Sequence, residues 1–342
     1  MSNAPVPTSL TTVGSWPAMV LTAGLGTRLR PLSEVRAKPG LPVAGVPLVG
    51  RILRWLAAGG VRHAVLNLHH LPDTITSEVG DGEAFGLAVR YSWEQAVLGS
   101  AGGPARALPL LDADRFFIVN GDTLTDVELG ELAARHVSSG ARVTMALIAN
   151  PDPGHYGGVD VDGAGRVTGF PRPGPGNGGW HFIGVQAVEA SVFAALDPDA
   201  PADTVSGIYR RLIADEPGAV QAHISGAAFR DIGTAANYLA TSLAIASAEG
   251  AAGALHGARV TIGPGARVTD SVLWDDVWVG ADAVLDHCVV ADRVRVPAGS
   301  RFSHRVLVNA SEVPAGPDED IVHGLLAVPL DARRRERTRG KD

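Results

Sequence analysis

A single cysteine, Cys288, leaves no partner for an internal disulfide and no Cys-rich zinc site, which fits a reducing cytoplasm and gives a cytoplasmic expectation. Aromatic residues are scarce at 5% and charged residues reach only 19%, yet 46% of the chain is hydrophobic. A disordered or collagen-like chain is thereby excluded. Positive charge is also short: 29 Lys and Arg against 36 Asp and Glu leave a net charge of −7. The chain as a whole lacks the field that nucleic-acid binding requires, so no nucleic-acid partner is expected. No run approaches the roughly 18 apolar residues that span a bilayer, so no membrane partner is expected either. The opening MSNAPVPTSLTTVGSW has neither a basic start nor a long apolar stretch and reads as a disordered tail over 1–16. At the other end ARRRERTRGKD makes 331–342 a basic, solvated tail.

Glycine and proline are plentiful, 42 and 23 among 342 residues, and this length divides into about two domains. Up to about residue 148 the short apolar runs Ala18–Thr22, Ala64–Leu68, Leu87–Tyr91, Phe116–Val119 and Val143–Ile148 alternate with helical patterns, which predicts an α/β domain with a mainly parallel sheet. In Pro47–Ala58 a helical stripe of Leu48, Ile52, Leu53 and Leu56 stops at Gly59-Gly60. Residues 149–181 are dense in Gly and Pro and suited to a loop or flap. A strand at Phe182–Val188, a helical stretch near Ala190–Leu196 and a closing segment Ala227–Ala246 complete a domain over 17–250.

Beyond residue 255 the pattern changes. Val260, Ala266, Val272, Trp278, Val284, Val290 and Val296 recur every six residues, which predicts a short β-helix over 255–330 with Trp278 as an awkward inward residue. Exposed coil ends seek partners, so a homo-oligomer is expected, and truncation near residue 252 is expected to alter assembly while sparing the chemistry.

The chemistry concentrates after the first strand, in Leu21-Thr22-Ala23-Gly24-Leu25-Gly26-Thr27-Arg28-Leu29-Arg30-Pro31. Glycines allow close backbone approach, and successive N–H groups at a strand end favour an anion. Lys38-Pro39-Gly40-Leu41-Pro42-Val43 follows, placing a second cation as a polyphosphate substrate requires. Phe116-Phe117-Ile118-Val119-Asn120-Gly121-Asp122 ends an apolar strand in a carboxylate, at the sheet edge where open α/β folds place ligands.

The pair G-x-G-T-R-L-x-P and K-P-x-x-P-V resembles the signature of the sugar-1-phosphate nucleotidyltransferases, and the resemblance covers about residues 18–248. It implies a Rossmann-like nucleotidyltransferase domain with a mainly parallel mixed sheet. It also implies a short left-handed β-helix of hexapeptide repeats after it, as in mannose-1-phosphate guanylyltransferases. Leu21, Ala23, Gly24, Gly26, Thr27 and Arg28 would then wrap a nucleoside triphosphate. Arg28 would steady the departing pyrophosphate, and Lys38 would contact phosphate. Asp122 and Asp231, the latter in Asp231-Ile232-Gly233-Thr234, match the family's metal carboxylates and imply a Mg²⁺ cofactor. With Arg28 and Lys38 they form the expected catalytic set.

Glu94, Gly99 and Ser100 lie in a stretch resembling the base-reading E-x-x-x-L-G-T-A-G, and a carboxylate at Glu94 suits the two donors on the guanine edge, favouring GTP. Gly157, Arg172 and Gly184 match sugar-phosphate positions. The sequence departs from the family there: Gly169-Phe170-Pro171-Arg172-Pro173 lacks the Glu of F-x-E-K-P, and Trp180-His181-Phe182-Ile183-Gly184 lacks the Asn of N-A-G-I-Y. The expected reaction is Mg²⁺-dependent transfer of a nucleotidyl group to a sugar-1-phosphate. A uridylyl enzyme for another sugar, a catalytically silent regulator and a β-helix acyltransferase stand as alternatives.

Overall fold

A computed structural model describes residues 13, 15–174, 179–251, 255–313 and 320–331. The chain forms two compact units that interleave along the sequence. The first takes Met1–Gly24, Val49–Pro72 and Val79–Arg230; the second takes Leu25–Leu48, Asp73–Glu78 and Asp231–Asp342.

The first unit is built on a seven-stranded sheet. Its strands in chain order are β1 (Ala18–Leu21), β2 (His63–Leu68), β3 (Ala88–Trp93), β4 (Arg115–Asn120), β5 (Val143–Ala149), β6 (Trp180–Glu189) and β7 (Val220–Ile224). They lie in the order β7-β5-β6-β4-β1-β2-β3. β1 pairs in parallel with β2 and β4, β2 with β3, and β7 with β5, whereas β6 runs antiparallel to both neighbours. The mainly parallel mixed sheet of the sequence reading is therefore present. Apolar runs make these strands because the sheet is covered: Met19, Val65, Phe116, Ile118, Val143, Met145 and Leu147 share one core with Phe193 and Tyr209.

The helix Leu48–Ala58 buries the predicted stripe, with Leu48, Ile52, Leu53 and Leu56 at most 2% exposed. It ends where Gly60 takes φ 98° and the Val61 N–H reaches the Leu56 carbonyl at 3.0 Å. Near Ala190–Leu196 the expected helix shrinks to a 3₁₀ turn, Ala190–Val192. Phe193 is drawn fully into the core, and Pro198 disfavours helix at the residue before it. The predicted loop over 149–181 contains the paired strands Asp160–Val161 and Val167–Gly169; its residues 175–178 lie outside the described residues. The predicted N-terminal tail falls outside them over 1–12, but Val13 and Trp16 are buried, with the Trp16 ring 5.3 Å from Phe117 and 5.6 Å from His136. The basic tail over 332–342 also lies outside the described residues.

In the second unit, the helix Ala235–Ala248 precedes a stack of parallel coils. Thr261 aligns with Trp278 and Arg295, Arg267 with Val284 and Arg301, and Val272 with Val289 and Val306. These coils carry the parallel-strand sheets of the expected hexapeptide β-helix. Equivalent residues stand 17 apart, as in the bond from the Asp275 N–H to Asp292 one coil on.

That spacing corrects the inward row. Val290 and Val296 point inward as expected, but the six-residue frame slips at the five-residue turn between Leu285 and Val290. Leu273, Val279 and Leu285 fill the core instead, and Trp278 faces outward at 38% exposure. The awkward inward tryptophan is thus an outward one. Left-handed corners at Arg259, Asp276 and Arg293 repeat with the same spacing.

Candidate active site

In the first unit, the carboxyl ends of β1, β2 and β3 are laced by side chains. The Thr22 N–H donates to Asn67 Oδ1 at 2.7 Å, and the Thr22 hydroxyl donates to the Asn67 carbonyl. Asn67 Nδ2 donates to Glu94 Oε1 at 2.7 Å, and the Leu98 N–H donates to Glu94 Oε2 at 2.9 Å. This lacing fixes the backbone between Leu21 and Ala23, from which exposed Gly24 leads onward. At the end of β4, the Gly121 N–H donates to the Leu21 carbonyl at 3.0 Å. Half-buried Asp122 follows, its Oδ1 accepting from the Thr123 hydroxyl at 3.3 Å.

Gly99 takes φ 76°, and a Cβ there would lie 2.7 Å from the Ala202 carbonyl oxygen. The Ser100 hydroxyl accepts from the Thr204 N–H at 2.9 Å, so it also ties down the chain around 203–204. Gly184 sits inside β6 with φ 80°, where the register with β5 shifts, and a Cβ would meet the Asn120 side chain at 2.8 Å. Gly157 and Arg172 are exposed on the Gly- and Pro-rich segment. Beside them the rings of His155, Tyr156, His181 and Phe229 cluster, with neighbouring centroids 4.5 to 5.5 Å apart.

The second unit gathers the cations. Gly26 takes φ 61°, and a Cβ there would lie 3.3 Å from the Lys38 Cβ, so the loop closes on the stem of this buried lysine. Thr27–Leu29 is a 3₁₀ turn that presents exposed Arg28. A Cβ on Gly233 would lie 2.8 Å from Asp231 Oδ2 and 3.1 Å from Arg28 Nη1, so the two charged groups flank one glycine. A cation and a carboxylate side by side suit a phosphate and its counter-ion. Among the described residues, no group of three or more His, Cys, Asp or Glu stands together as a metal cage.

Three residues escaped the sequence reading. Asn67 is a polar residue in the apolar run Ala64–Leu68, which was a usable signal. Gly233 lies inside a motif read for its Asp alone. Arg36, two residues before Lys38, had no signal until its partners were known: its guanidinium meets Asp292 at 2.6 Å and Asp275 at 2.7 Å, some 240 to 256 residues away. Burial disfavours the charged form, but hydrogen bonds and charge from Asp292 and Asp275 outweigh it and raise the Arg36 pKa.

For Glu94 the geometry shows a bracing role that the sequence did not suggest. Glu94 is 5% exposed, and each oxygen already accepts a bond from within the protein. Its position is that of a brace beneath the loop. Glu94→Gln would turn an NH₂ toward Asn67 Nδ2 or the Leu98 N–H. Asn67 has no freedom to flip, because its Oδ1 holds Thr22. The variant is therefore expected to lose about 1–3 kcal/mol of stability in denaturant titration, and to lower kcat/KM for GTP and UTP alike. A loss confined to GTP would instead assign Glu94 to direct base reading.

The nucleotidyl transferase family model matches residues 17–248, and a GlmU-like C-terminal hexapeptide model matches 222–306. The mannose-1-phosphate guanylyltransferase of Mycobacterium tuberculosis is 30% identical over 301 residues, covering 79% of this chain and 82% of that protein. The N-acetylmuramate alpha-1-phosphate uridylyltransferase of Neisseria meningitidis is 47% identical over 112 residues, 32% of this chain and 48% of that protein. Among solved structures, HddC from Yersinia pseudotuberculosis shares the fold with a TM-score of 0.59 at 22% identity, covering 67% of this chain and 99% of that one. With the family model spanning most of its length, and with a relative at this identity covering most of both chains, the chain belongs to the nucleotidyl transferase family.

Proposed function

We propose that this chain transfers a nucleotidyl group from a nucleoside triphosphate to a sugar-1-phosphate, releasing pyrophosphate, with GTP and mannose-1-phosphate as the favoured pair. The grouping of Arg28 and Asp231 about Gly233, with the stem of Lys38 packed against Gly26, carries this reading. An oxygen of the sugar phosphate attacks the α-phosphorus in line. That phosphate is already an anion, so no general base is needed. The chain must position the reactants and neutralise charge. N–H groups around Gly24 and Gly26 face the triphosphate, Arg28 holds the leaving pyrophosphate, and Lys38 binds phosphate. Arg172 and the backbone at Gly157 and Gly184 take the sugar-phosphate side, while Gly99 and Ser100 shape the loop under the base.

Asp122 and Asp231, both half-buried carboxylates, suit Mg²⁺, a hard cation commonly held by one or two carboxylates together with substrate phosphates. When bound, Mg²⁺ supplies charge neutralisation on the phosphate oxygens. The longer guanylyltransferase match favours GTP, whereas the 47% identity to the uridylyltransferase over 112 residues favours UTP as a second reading.

A pyrophosphate-release panel of GTP, UTP, ATP and dTTP against mannose-, glucose- and N-acetylmuramate-1-phosphate tests it. GTP with mannose-1-phosphate is expected to be fastest. A uridylyl optimum would select the second reading, and no turnover with any pair would identify a silent, nucleotide-sugar-binding relative. Cytoplasmic residence and homo-oligomeric assembly complete the proposal. Among the described residues, no helix is long and apolar enough to cross a membrane.

A further inference from the structure

We infer that the coils of the second unit hold the Lys38 segment in its working position through Arg36, which makes Arg36 a positioning residue for the phosphate-binding cation. The inference rests on the reading of Lys38 given under Proposed function.

Arg36 Nε donates to Asp292 Oδ2 at 2.6 Å, and Nη2 donates to Asp292 Oδ1 and Asp275 Oδ2, each at 2.7 Å. Asp275 and Asp292 occupy the same corner of successive coils, and the Asp275 N–H donates to Asp292 Oδ1 at 3.0 Å. Glu78 lies 3.8 Å from Nη1, and the guanidinium sits 5.5 Å from the centroid of the buried Trp274 ring. The Arg36 side chain is only 12% exposed.

A second anchor follows Lys38. Trp274 Nε1 donates to the Tyr238 hydroxyl at 2.9 Å, and that hydroxyl donates to the Pro42 carbonyl at 2.5 Å. Burial raises the Tyr238 pKa, so the phenol keeps the proton it donates. Between the anchors, the Ala37 N–H donates to the Thr74 hydroxyl at 3.0 Å. Lys38 is therefore bracketed two residues before and four residues after by links that lead into the same turn of the coils.

A buried ion pair adds little net stability over an apolar replacement, but a planar fork gripping two carboxylates fixes direction closely. Fixing direction is what a phosphate-binding lysine on a short 3₁₀ turn, Lys38–Gly40, requires.

The test neutralises the three groups of the fork and leaves only the exposed Glu78 charged, so that no charge is left buried and unpaired: Arg36→Met with Asp275→Asn and Asp292→Asn. Asparagine keeps an acceptor for the Ala258 and Asp275 N–H groups. Hydrogen exchange at Gly40 and Leu41, whose N–H groups close this turn, is expected to accelerate at least tenfold while β1 amides stay protected. With GTP and mannose-1-phosphate, or whichever pair the panel selects, kcat is expected to fall at least tenfold and KM for the nucleotide to change less than threefold. Arg36→Lys, which keeps the charge and loses the fork, is expected to lie between.

Wild-type exchange at Gly40 and Leu41, or wild-type kcat, in the triple variant overturns the inference. Should that variant fail to fold, Asp275→Asn alone removes one arm of the grip. It must then accelerate the same two amides, and unchanged exchange there overturns the inference equally. If the unaltered protein turns over no substrate pair, the reading of Lys38 fails, while the exchange result still decides the anchor.

Discussion

Asp122→Ala and Asp231→Ala are each expected to lower Mg²⁺-dependent pyrophosphate release by about a thousandfold or more, a loss on the order of 4 kcal/mol of transition-state stabilisation. In this proposal the two carboxylates supply the protein's share of the metal ligands, and the substrate phosphates supply the rest. Neither alanine leaves a large cavity, since both side chains are only half-buried. Thermal unfolding midpoints should therefore stay within a few degrees of wild type. Near-normal turnover in either variant at saturating Mg²⁺ would remove that residue from the metal assignment.

Cutting the chain after residue 251 is expected to abolish turnover and to destabilise what remains. The sequence suggested the opposite, that the coils serve assembly while residues before 250 do the chemistry. In the structure, Leu25–Leu48 and Asp231–Asp342 fall in one compact unit. The cut removes Trp274 from Tyr238, and both Asp275 and Asp292 from Arg36. Stranding one partner of a buried ion pair costs about 3–5 kcal/mol, and the apolar surface that the coils cover would be exposed as well. The expected signs are dye binding by exposed apolar surface, a lower unfolding midpoint and no pyrophosphate release. A truncated chain with full turnover would show that the loop holding Arg28 and Lys38 keeps its form unaided.

What the sequence revealed and what it hid follow from how local each signal is. The five expected strands between residues 18 and 148 are present, four of them as apolar runs buried on the sheet and the fifth, Ala88–Trp93, as a half-exposed edge strand, each signal only a few residues long. The helix Gly99–Leu111 carries Pro104, Pro109 and three glycines, so its composition argues against the state that packing imposes. The hexad row failed at Trp278 because one turn in each coil is a residue short, and a one-residue slip in a strand exchanges its two faces. The charged side chains of the candidate site were readable as a motif of fixed spacing. The bracing bonds of Glu94 were not, because they depend on its donors, and Asn67 is 27 residues away. Arg36 was the least readable of all, since nothing near it in the chain marks the coils as its partners.

Arg36 and Asp292 lie 256 residues apart. During synthesis at about 5–20 residues per second, the arginine therefore waits on the order of ten to fifty seconds for its carboxylate to be made. Much of the first unit's sheet can pair in that interval, but the signature loop cannot be locked until nearly the whole chain has left the ribosome. A nascent chain would thus carry a formed sheet while the segment around Lys38 still lacks its anchors.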